Sequence, residues 1–392
     1  MKADSIAKLR SNRVWMTPKS CKLDDFTRVI DHKTSLADYP LAAAVEKNVL
    51  IYQGDAVRAA AQDPETRKAI MAEWAEAMLS GPGIVVFKNA FAGHFAIDAA
   101  TKVFNDIITE QHRDKAGGGD HFAKPGANDR IWNALEKLCL REPQIFASYY
   151  ANEIIALVSE SWLGTGYQIT SQLNVVNPGG EAQSVHRDYH MGFQTAEEIA
   201  RFPVHAHSLS QVLTLQGAVA HCDMPIESGP TLYLPYSQNF LPGYFAWRKP
   251  EFKDYFNANY VQLPLSKGDA VFFNPALFHA AGQNRTTDVK RMANLLQVSS
   301  AYGRAMESMN RARMAAALYP ALVHVKDQTA RTNAIAACAE GYAFPTNLDR
   351  DPPLGGLAPQ SPQQLMAKAL AANWTQNKFN SALEQQSWRW LT

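Results

Sequence analysis

The segment His186-Arg187-Asp188 and a distant His279 constrain the fold of this chain more than any other feature. In an extended segment, residues two apart point to the same side, so His186 and Asp188 can approach one ion while Arg187 turns away. His279 lies ninety-one residues after Asp188 and ends an apolar run that is typical of a strand edge. A fold that uses all three side chains must therefore bring two separate extended segments together.

Two imidazoles and one carboxylate on one side of a metal leave half of an octahedral coordination sphere open. Such mixed nitrogen and oxygen ligation favours Fe(II) over a closed tetrahedral zinc site, which usually recruits Cys or a third His. Oxygen chemistry requires the open positions, because O₂ and a co-substrate both need room on the iron. The pattern predicts an enzyme in which His186, Asp188 and His279 are the metal ligands and catalytic residues.

The middle of the chain is rich in predicted strands. From residue 167 onward apolar and polar residues alternate, so that Gln172 and Asn174 fall on one polar face. Further strand candidates, separated by turn residues, cover 212–220, 270–273 and 292–299. A polar strand face suggests a barrel wall that lines a site, and the region is typical of a double-stranded β-helix, or jelly roll.

Helical segments are predicted on both sides of this region. Asp63-Pro64 opens a segment in which apolar residues recur every four positions from Ile70 to Met78, as in a helix buried along one stripe. Stretches rich in Ala after residue 303 predict further helices. We therefore predict a mainly β protein with flanking helices, consisting of an N-terminal helical extension over 1–80, a jelly-roll core over 81–303 and a C-terminal helical extension over 304–392.

The composition argues against several other classes of function. Lys plus Arg number 38 and Asp plus Glu number 37, so the net charge indicates no preference for nucleic acid or an anionic membrane. The first residues lack the apolar region of a signal peptide, and no apolar run is long enough to cross a membrane. The four cysteines form no C-x-x-C pair, which suits a reducing compartment. We expect a cytoplasmic protein that acts on a small-molecule substrate without nucleic-acid or membrane partners, and its oligomeric state stays open.

Arg291 lies at the start of another predicted strand, twelve residues after the distal histidine. Its guanidinium offers a rigid fork for a carboxylate such as the distal end of 2-oxoglutarate, whose keto acid end would chelate the iron. A solvated basic cluster with Arg285 and Lys290 would give a similar pattern. Gln172 and Asn174 are further candidates for cofactor or substrate contacts, although a hydrated polar strand face would carry the same residues.

Four segments between residues 81 and 300 follow an order and spacing that are typical of one enzyme family. They are Gly83-Ile84-Val85-Val86-Phe87-Lys88-Asn89, Gln172-Leu173-Asn174-Val175, Glu227-Ser228-Gly229-Pro230-Thr231-Leu232-Tyr233-Leu234-Pro235-Tyr236-Ser237, and Gly268-Asp269-Ala270-Val271-Phe272-Phe273 followed by His279, Gln283-Asn284 and Arg291. Together they resemble the phytanoyl-CoA dioxygenase family of Fe(II)/2-oxoglutarate oxygenases over somewhat more than half of the chain. The third segment departs from the family pattern, because Tyr236 and Gln238 stand where Gly and His are usual.

The resemblance implies that conversion of 2-oxoglutarate to succinate and CO₂ is coupled to oxidation of a small organic substrate. Family members that halogenate carry Gly or Ala in place of the carboxylate ligand, so Asp188 favours hydroxylation of an unactivated C–H bond. Desaturation, cyclisation or epimerisation on the same fold, and a non-catalytic jelly-roll binding protein, are the alternatives. The family name implies a CoA thioester, yet no basic cluster suited to a CoA diphosphate is evident in the sequence.

Two other patterns have simpler interpretations. His221-Cys222-Asp223 repeats the His-x-Asp spacing, but it ends a predicted buried strand, so we expect it to have a structural role. The Gly-rich stretch 115–122 lacks the Gly-Lys-Ser/Thr ending of a phosphate loop, and we interpret it as a lid segment or a plain connecting loop. No Gly-x-Ser-x-Gly motif occurs, which disfavours serine hydrolase chemistry.

Overall fold

Two β-sheets form the centre of the molecule. The computed structural model of the chain describes residue 6 and residues 10–114 and 126–392, so the Gly-rich stretch 115–122 lies outside the described residues. The strands are β1 (Ala44–Glu46), β2 (Val49–Gln53), β3 (Ile84–Lys88), β4 (Asn128–Ile131), β5 (Gln168–Val176), β6 (Thr214–Ala220), β7 (Leu232–Leu234), β8 (Val261–Gln262), β9 (Ala270–Phe273), β10 (Phe278–Ala280) and β11 (Arg291–Ser299). The large sheet has the order β1-β2-β3-β9-β6-β11-β5-β4, and the small sheet has the order β10-β7-β8.

Helices contain more of the described residues than strands do. The α-helices are α1 (Leu23–Ile30), α2 (Gly54–Ala60), α3 (Pro64–Leu79), α4 (Phe95–Arg113), α5 (Ala134–Arg141), α6 (Pro143–Tyr150), α7 (Glu153–Leu163), α8 (Ala196–Ile199), α9 (Val204–Val212), α10 (Gly243–Ala246), α11 (Pro250–Asn259), α12 (Arg311–Val323), α13 (Gln328–Cys338), α14 (Pro362–Ala371) and α15 (Gln376–Trp390). None of these helices is both long and apolar enough to cross a bilayer.

The prediction of a mainly β protein is therefore wrong in its proportions, because the fold is mixed α and β. One face of the large sheet is apolar and must be covered, and helices from three parts of the chain cover it. The segment between residues 134 and 163, which lies within the predicted jelly-roll core over 81–303, supplies three of these helices. Strand alternation indicates that a face is buried, but it does not indicate whether a sheet or a helix covers that face.

The first long helix forms as its sequence predicts. The carboxylate of Asp63 accepts a hydrogen bond of 2.9 Å from the amide of Thr66, and Pro64 occupies the first turn. Trp74 is buried on the inner side of α3 and packs edge-on against Phe87 of β3, with ring centroids 5.0 Å apart. The predicted helix and the predicted strand after it are confirmed, and their packing joins the N-terminal part to the large sheet.

The two faces of the large sheet have different neighbours, because successive side chains of a strand alternate. On β11, Met292, Leu296 and Val298 belong to the large hydrophobic core that the sheet shares with the helices. On the opposite face, Ala293 and Leu295 pack with a smaller apolar cluster that includes residues of the small sheet. We term this second surface the inner face, and it is the one that positions the site.

The C-terminal helices pack on the central helices. Leu318 of α12 and Phe379 of α15 belong to the same hydrophobic cluster as Leu296 of β11. Tyr319 stacks on Phe379 with ring centroids 4.2 Å apart, and its hydroxyl donates to the carbonyl of Trp374 at 2.8 Å. The division into an extension over 1–80, a core over 81–303 and an extension over 304–392 stays a prediction.

Candidate metal centre

His186 and His279 face each other across a backbone pairing. The amide of His186 donates to the carbonyl of His279 at 3.0 Å, and the amide of His279 donates in return at 3.2 Å. β10 holds His279 from its other side by pairing it with Tyr233 of β7. Because directly opposed residues of an antiparallel pair point to the same side, the two imidazoles come together.

The structure brings the three predicted ligand side chains into one cluster, termed the triad. Nε2 of His186 lies 3.8 Å from Oδ2 of Asp188, and Nε2 of His279 lies 3.5 Å from the same oxygen. The potential ligand atoms of all three residues lie within 4.8 Å of one another. Within 10–114 and 126–392, no other group of three His, Cys, Asp or Glu side chains meets this criterion.

Hydrogen bonds orient both imidazoles toward Asp188. Nδ1 of His186 lies 3.0 Å from the carbonyl of Ser184, and Nδ1 of His279 lies 2.8 Å from the carbonyl of Leu277. A carbonyl only accepts, so in each neutral ring Nδ1 carries the proton and Nε2 presents its lone pair. Nε2 of His279 is buried and has no hydrogen-bond partner among the described residues. Such an orphaned lone pair beside a carboxylate fits a metal ion.

Asp188 is held as a carboxylate. Burial raises its pKa, but interactions with the imidazoles of His186 and His279 and a hydrogen bond from Gln216 outweigh burial and lower the pKa to about 2. The bond from Gln216 runs from Nε2 to Oδ2 over 2.9 Å. Our reading of the sequence missed Gln216. The alternation of side chains along β6 places Gln216 on the inner face. Its contact with Asp188 follows only from the packing of the segment 184–190 against β6.

Arg187 fixes the backbone between the two ligands of its segment, and sequence reasoning missed this residue as well. Its side chain is 2% exposed and points away from the triad into a second apolar cluster. There the guanidinium donates to the carbonyls of Ser237 and Phe240 and packs against Gly243. A Cβ at Gly243 would lie 1.9 Å from Cζ of Arg187, so this close approach requires glycine.

Arg291 is buried at the start of β11, with 7% of its surface exposed. Its Nη1 donates to the carbonyls of Ser228 and Gly282, each at 3.1 Å. Burial lowers its pKa to about 10, so the guanidinium stays charged at neutral pH. Arg285 and Lys290 are exposed, and the alternative of a solvated basic cluster therefore does not describe Arg291.

Gln172 and Asn174 lie on the inner face but not beside Arg291. In the pairing of β5 with β11, Arg291 is opposite Val176, so Asn174 is one inward position away and Gln172 is two. Gln172 instead bonds to the side chains of Arg130 and Gln297. The cofactor-binding role that we predicted for this pair of residues stays a prediction, and the contacts of Gln172 point to a different part of the site.

The second His-x-Asp pattern lies on the other side of the large sheet. His221 is buried between the hydroxyls of Thr101 and Tyr149, at 2.8 Å from Nδ1 and 2.9 Å from Nε2. Asp223 is exposed and accepts from the amide of Lys267. Burial lowers the pKa of His221 to about 3, so this imidazole is neutral in the folded protein.

His221 should make the folded state less stable in acid. In the unfolded chain the imidazole of His221 binds a proton near pH 6.5, whereas in the folded protein it binds one only near pH 3. The contribution of this residue to the free energy of unfolding is therefore fully present above pH 6.5 and decreases as the pH falls from 6.5 toward 3. Between pH 6.5 and 5 the loss from this residue is roughly 1.5 kcal/mol. Chemical denaturation between pH 6.5 and 5 should show that the free energy of unfolding depends less on pH in His221→Gln than in the wild type. His324→Gln, at an exposed position, should show the wild-type dependence. Equal slopes for wild type and His221→Gln would contradict the assignment.

A sequence profile of the phytanoyl-CoA dioxygenase (PhyH) family matches residues 63–293 of this chain. The matched range covers more than half of the chain and includes the triad and Arg291. The chain belongs to the phytanoyl-CoA dioxygenase family. As a member of this family the protein is an Fe(II)/2-oxoglutarate-dependent oxygenase, and its cofactors are Fe(II), 2-oxoglutarate and O₂.

Several solved structures resemble part of this family member at low identity. The epimerase SnoN from nogalamycin biosynthesis is 16% identical, with a TM-score of 0.41 over 61% of this chain and 82% of that one. The carbocyclase SnoK from the same biosynthesis is 18% identical, with a TM-score of 0.40 over 58% and 83%. HygX from Streptomyces hygroscopicus, solved with nickel and 2-oxoglutarate, is 11% identical, with a TM-score of 0.39 over 58% and 87%. A search of curated proteins gives no significant match, and the family assignment therefore rests on the profile.

Proposed function

We propose that the protein hydroxylates an unactivated C–H bond of a small organic metabolite. His186 and His279 would hold iron through Nε2, and Asp188 through a carboxylate oxygen. The observation that carries this proposal is the buried Nε2 of His279, which faces Asp188 and finds no hydrogen-bond partner in the described part of the chain. When bound, the iron would supply the centre at which O₂ and 2-oxoglutarate react.

Arg291 would bind the distal carboxylate of 2-oxoglutarate. Phe273 packs edge-on against His279 at 4.9 Å and against Tyr233 at 5.1 Å, measured between ring centroids. Tyr233 in turn lies near Arg291, whose positive charge opposes the larger effect of burial, which raises the pKa of the Tyr233 phenol. The contacts of Phe273 and Tyr233 thus form a mostly apolar connection between the triad and the buried guanidinium of Arg291. In such surroundings a carboxylate pairs strongly with a guanidinium. The pairing would fix one end of the co-substrate and orient the other toward the triad.

The finer description of the fold is also a proposal. The small sheet faces the large one across the apolar cluster of the inner face, and the strands around the triad, β6, β9, β10 and β11, are divided between the two sheets. His279 lies in the small sheet, while Gln216 and Arg291 lie in the large one. This arrangement supports a double-stranded β-helix with the triad between its sheets.

The proposal is tested by adding Fe(II) and 2-oxoglutarate to the full chain without O₂. Chelation of iron by the keto acid should give a visible charge-transfer band. With O₂ and a candidate metabolite, succinate should form in proportion to a product that gains one oxygen atom. Absence of the band would contradict the proposed site. A band with a product that is desaturated, cyclised or epimerised would retain the cofactors and overturn hydroxylation.

Gln216 should matter for metal binding because it holds Asp188 in place. In Gln216→Leu the carboxylate loses a hydrogen bond of 2.9 Å in a buried setting. Loss of an outer hydrogen-bond partner of a metal ligand typically weakens metal affinity about 10- to 100-fold. We expect an increase of that size in the Fe(II) dissociation constant, measured by anaerobic titration. Gln385→Leu, at an exposed position, is the matched control, and equal affinities in the two variants would rule out this role.

A further inference from the structure

Three glutamines form a polar area on the inner face beside the triad, which we term the amide patch. They are Gln172 of β5, Gln297 of β11 and Gln216 of β6, on three neighbouring strands. Gln297 lies directly opposite Gln216 in the pairing of β11 with β6, and Nε2 of Gln172 donates to Oε1 of Gln297 at 3.2 Å. Gln216 in turn donates to Asp188. The amide patch therefore begins at the carboxylate of the triad.

The inner face changes character between the amide patch and Arg291. The inward residues there are small or apolar, namely Ala293 and Leu295 of β11 and Ala218 of β6. Arg291 begins β11, whereas Gln297 lies near the other end of this strand. A co-substrate anchored at Arg291 would therefore lie over the apolar part, and the amide patch is left for the primary substrate.

Solvent reaches the triad on one side. The side chain of His186 is 26% exposed and that of Asp188 is 15% exposed, whereas that of His279 is 4% exposed. Gln216, which bonds to Asp188, is also partly exposed. A small molecule can therefore approach the triad and the amide patch from solvent.

Two buried polar atoms beside Asp188 make no hydrogen bond to any residue that the structure describes. They are the hydroxyl of Tyr189 and Oε1 of Gln216. A carboxylate only accepts, so the amide nitrogen of Gln216 must face Asp188 and its oxygen points elsewhere. Tyr189 follows Asp188 in the chain, is 3% exposed and has its hydroxyl near Gln297. Polar groups are costly to bury without a partner, so both atoms point to a ligand that bonds to them.

Contacts within and around residues 189–194 hold the ring of Tyr189 in place. The ring packs edge-on against Phe193, with ring centroids 5.7 Å apart. The guanidinium of Arg248 donates to the carbonyls of Gly192 and Gln194, at 3.3 and 2.5 Å. A ring fixed in this way loses little freedom when its hydroxyl bonds to a ligand, and such preorganisation favours binding.

The charges at the edge of the amide patch oppose each other. Arg130 donates to Oε1 of Gln172 at 2.7 Å. Burial raises the pKa of Glu307, and the nearby charge of Arg130 opposes that effect. A CoA thioester does not suit such a surface, because its phosphates would need an excess of basic side chains. A hydrocarbon chain does not suit it either, because the hydroxyl of Tyr189 and Oε1 of Gln216 would stay unpaired.

We infer that the primary substrate is a neutral polyhydroxylated compound of the sugar or cyclitol class, and that Tyr189 and Gln216 bind one of its hydroxyl groups beside the triad. The inference rests on the proposed function, because it names a substrate class for the same site. One hydroxyl can donate to Oε1 of Gln216 and accept from the phenol of Tyr189. A site built to bond to a hydroxyl rejects the analogue that lacks it, because its own polar groups are then left unpaired.

The test uses the full chain with Fe(II) and 2-oxoglutarate in the absence of O₂. The charge-transfer band is recorded first, since its presence tests the proposed function independently. Monosaccharides, methyl glycosides and cyclitols are then added, together with the deoxy analogues of each, and fatty acids, their CoA thioesters and amino acids serve as comparisons. Binding is followed by the shift of the band and by thermal unfolding. We expect at least one polyhydroxylated compound to bind, and one of its deoxy analogues to bind about tenfold more weakly or worse.

A conservative variant assigns the contact. Tyr189→Phe keeps the ring that packs against Phe193 but loses the hydroxyl, so it should lose the preference for the parent compound over that deoxy analogue while the band without substrate is retained. Tyr302→Phe, at a position that is 79% exposed, should keep the preference. The comparison of parent and deoxy analogue needs no variant, so it decides the question even if Tyr189→Phe fails to fold.

Three results would overturn the inference while the band is present. They are that no polyhydroxylated compound binds, that every deoxy analogue binds as tightly as its parent, or that folded Tyr189→Phe keeps the wild-type preference. Binding of a fatty acid, a CoA thioester or an amino acid in preference to the polyhydroxylated compounds would also contradict it. Failure of the band itself would instead overturn the proposed function.

Discussion

Asp188→Ala should abolish turnover coupled to 2-oxoglutarate, with a loss on the order of a thousandfold or more. Even outer partners of metal ligands change affinity about 10- to 100-fold, and Asp188 is the one anionic group of the triad. Its removal would leave two imidazoles, which alone hold Fe(II) weakly. The charge-transfer band should disappear at iron concentrations that saturate the wild type, and succinate formation should fall to the level without enzyme.

The chain supplies its own control for this experiment. Asp223 occupies the same place in the second His-x-Asp pattern, but it is exposed and bonds to the amide of Lys267. Asp223→Ala should retain the band and the turnover. If Asp188→Ala kept full activity while its melting temperature matched that of the wild type, the proposed ligand set would be wrong.

Arg291→Met should raise the KM for 2-oxoglutarate about a hundredfold, which corresponds to about 3 kcal/mol at 1.4 kcal/mol per factor of ten. The side chain is 7% exposed and charged, so its loss leaves a co-substrate carboxylate without a partner in a buried setting. The measurement is succinate formation as a function of 2-oxoglutarate concentration. The affinity for Fe(II) alone should change little, because Arg291 is not part of the triad.

Two further variants separate binding from folding. Arg291→Met also removes the hydrogen bonds to Ser228 and Gly282, so its free energy of unfolding must be measured as well. Arg291→Lys keeps the charge but not the fork, and we expect it to recover part of the lost affinity. Arg285→Gln, at an exposed position six residues earlier, should behave as the wild type. An unchanged KM in Arg291→Met would exclude the proposed anchor.

Several features of this protein follow from local patterns in the sequence. Asp63 and Pro64 start a helix because capping depends on neighbours within one turn. His186 and Asp188 lie on one side because residues two apart in an extended segment do so. Arg291 is a candidate for carboxylate binding because of its charge and its place twelve residues after His279. Each of these interpretations required only residues that are close together in the chain.

Other features depend on how distant segments pack, and local patterns do not specify that. The bond from Gln216 to Asp188 forms because the segment 184–190 packs against β6. The bridge from Arg130 through Gln172 to Gln297 forms because β5 pairs with β4 on one side and with β11 on the other. The helical cover of the large sheet was likewise underestimated from sequence.

The sequence by itself thus determined which residue types could bind iron and a carboxylate, because spacing along a strand decides which side chains share a face. The tertiary structure alone decided which side chains hold those residues in place. The physical reason is that these contacts join residues far apart in the chain, and their geometry is set by strand register and by burial.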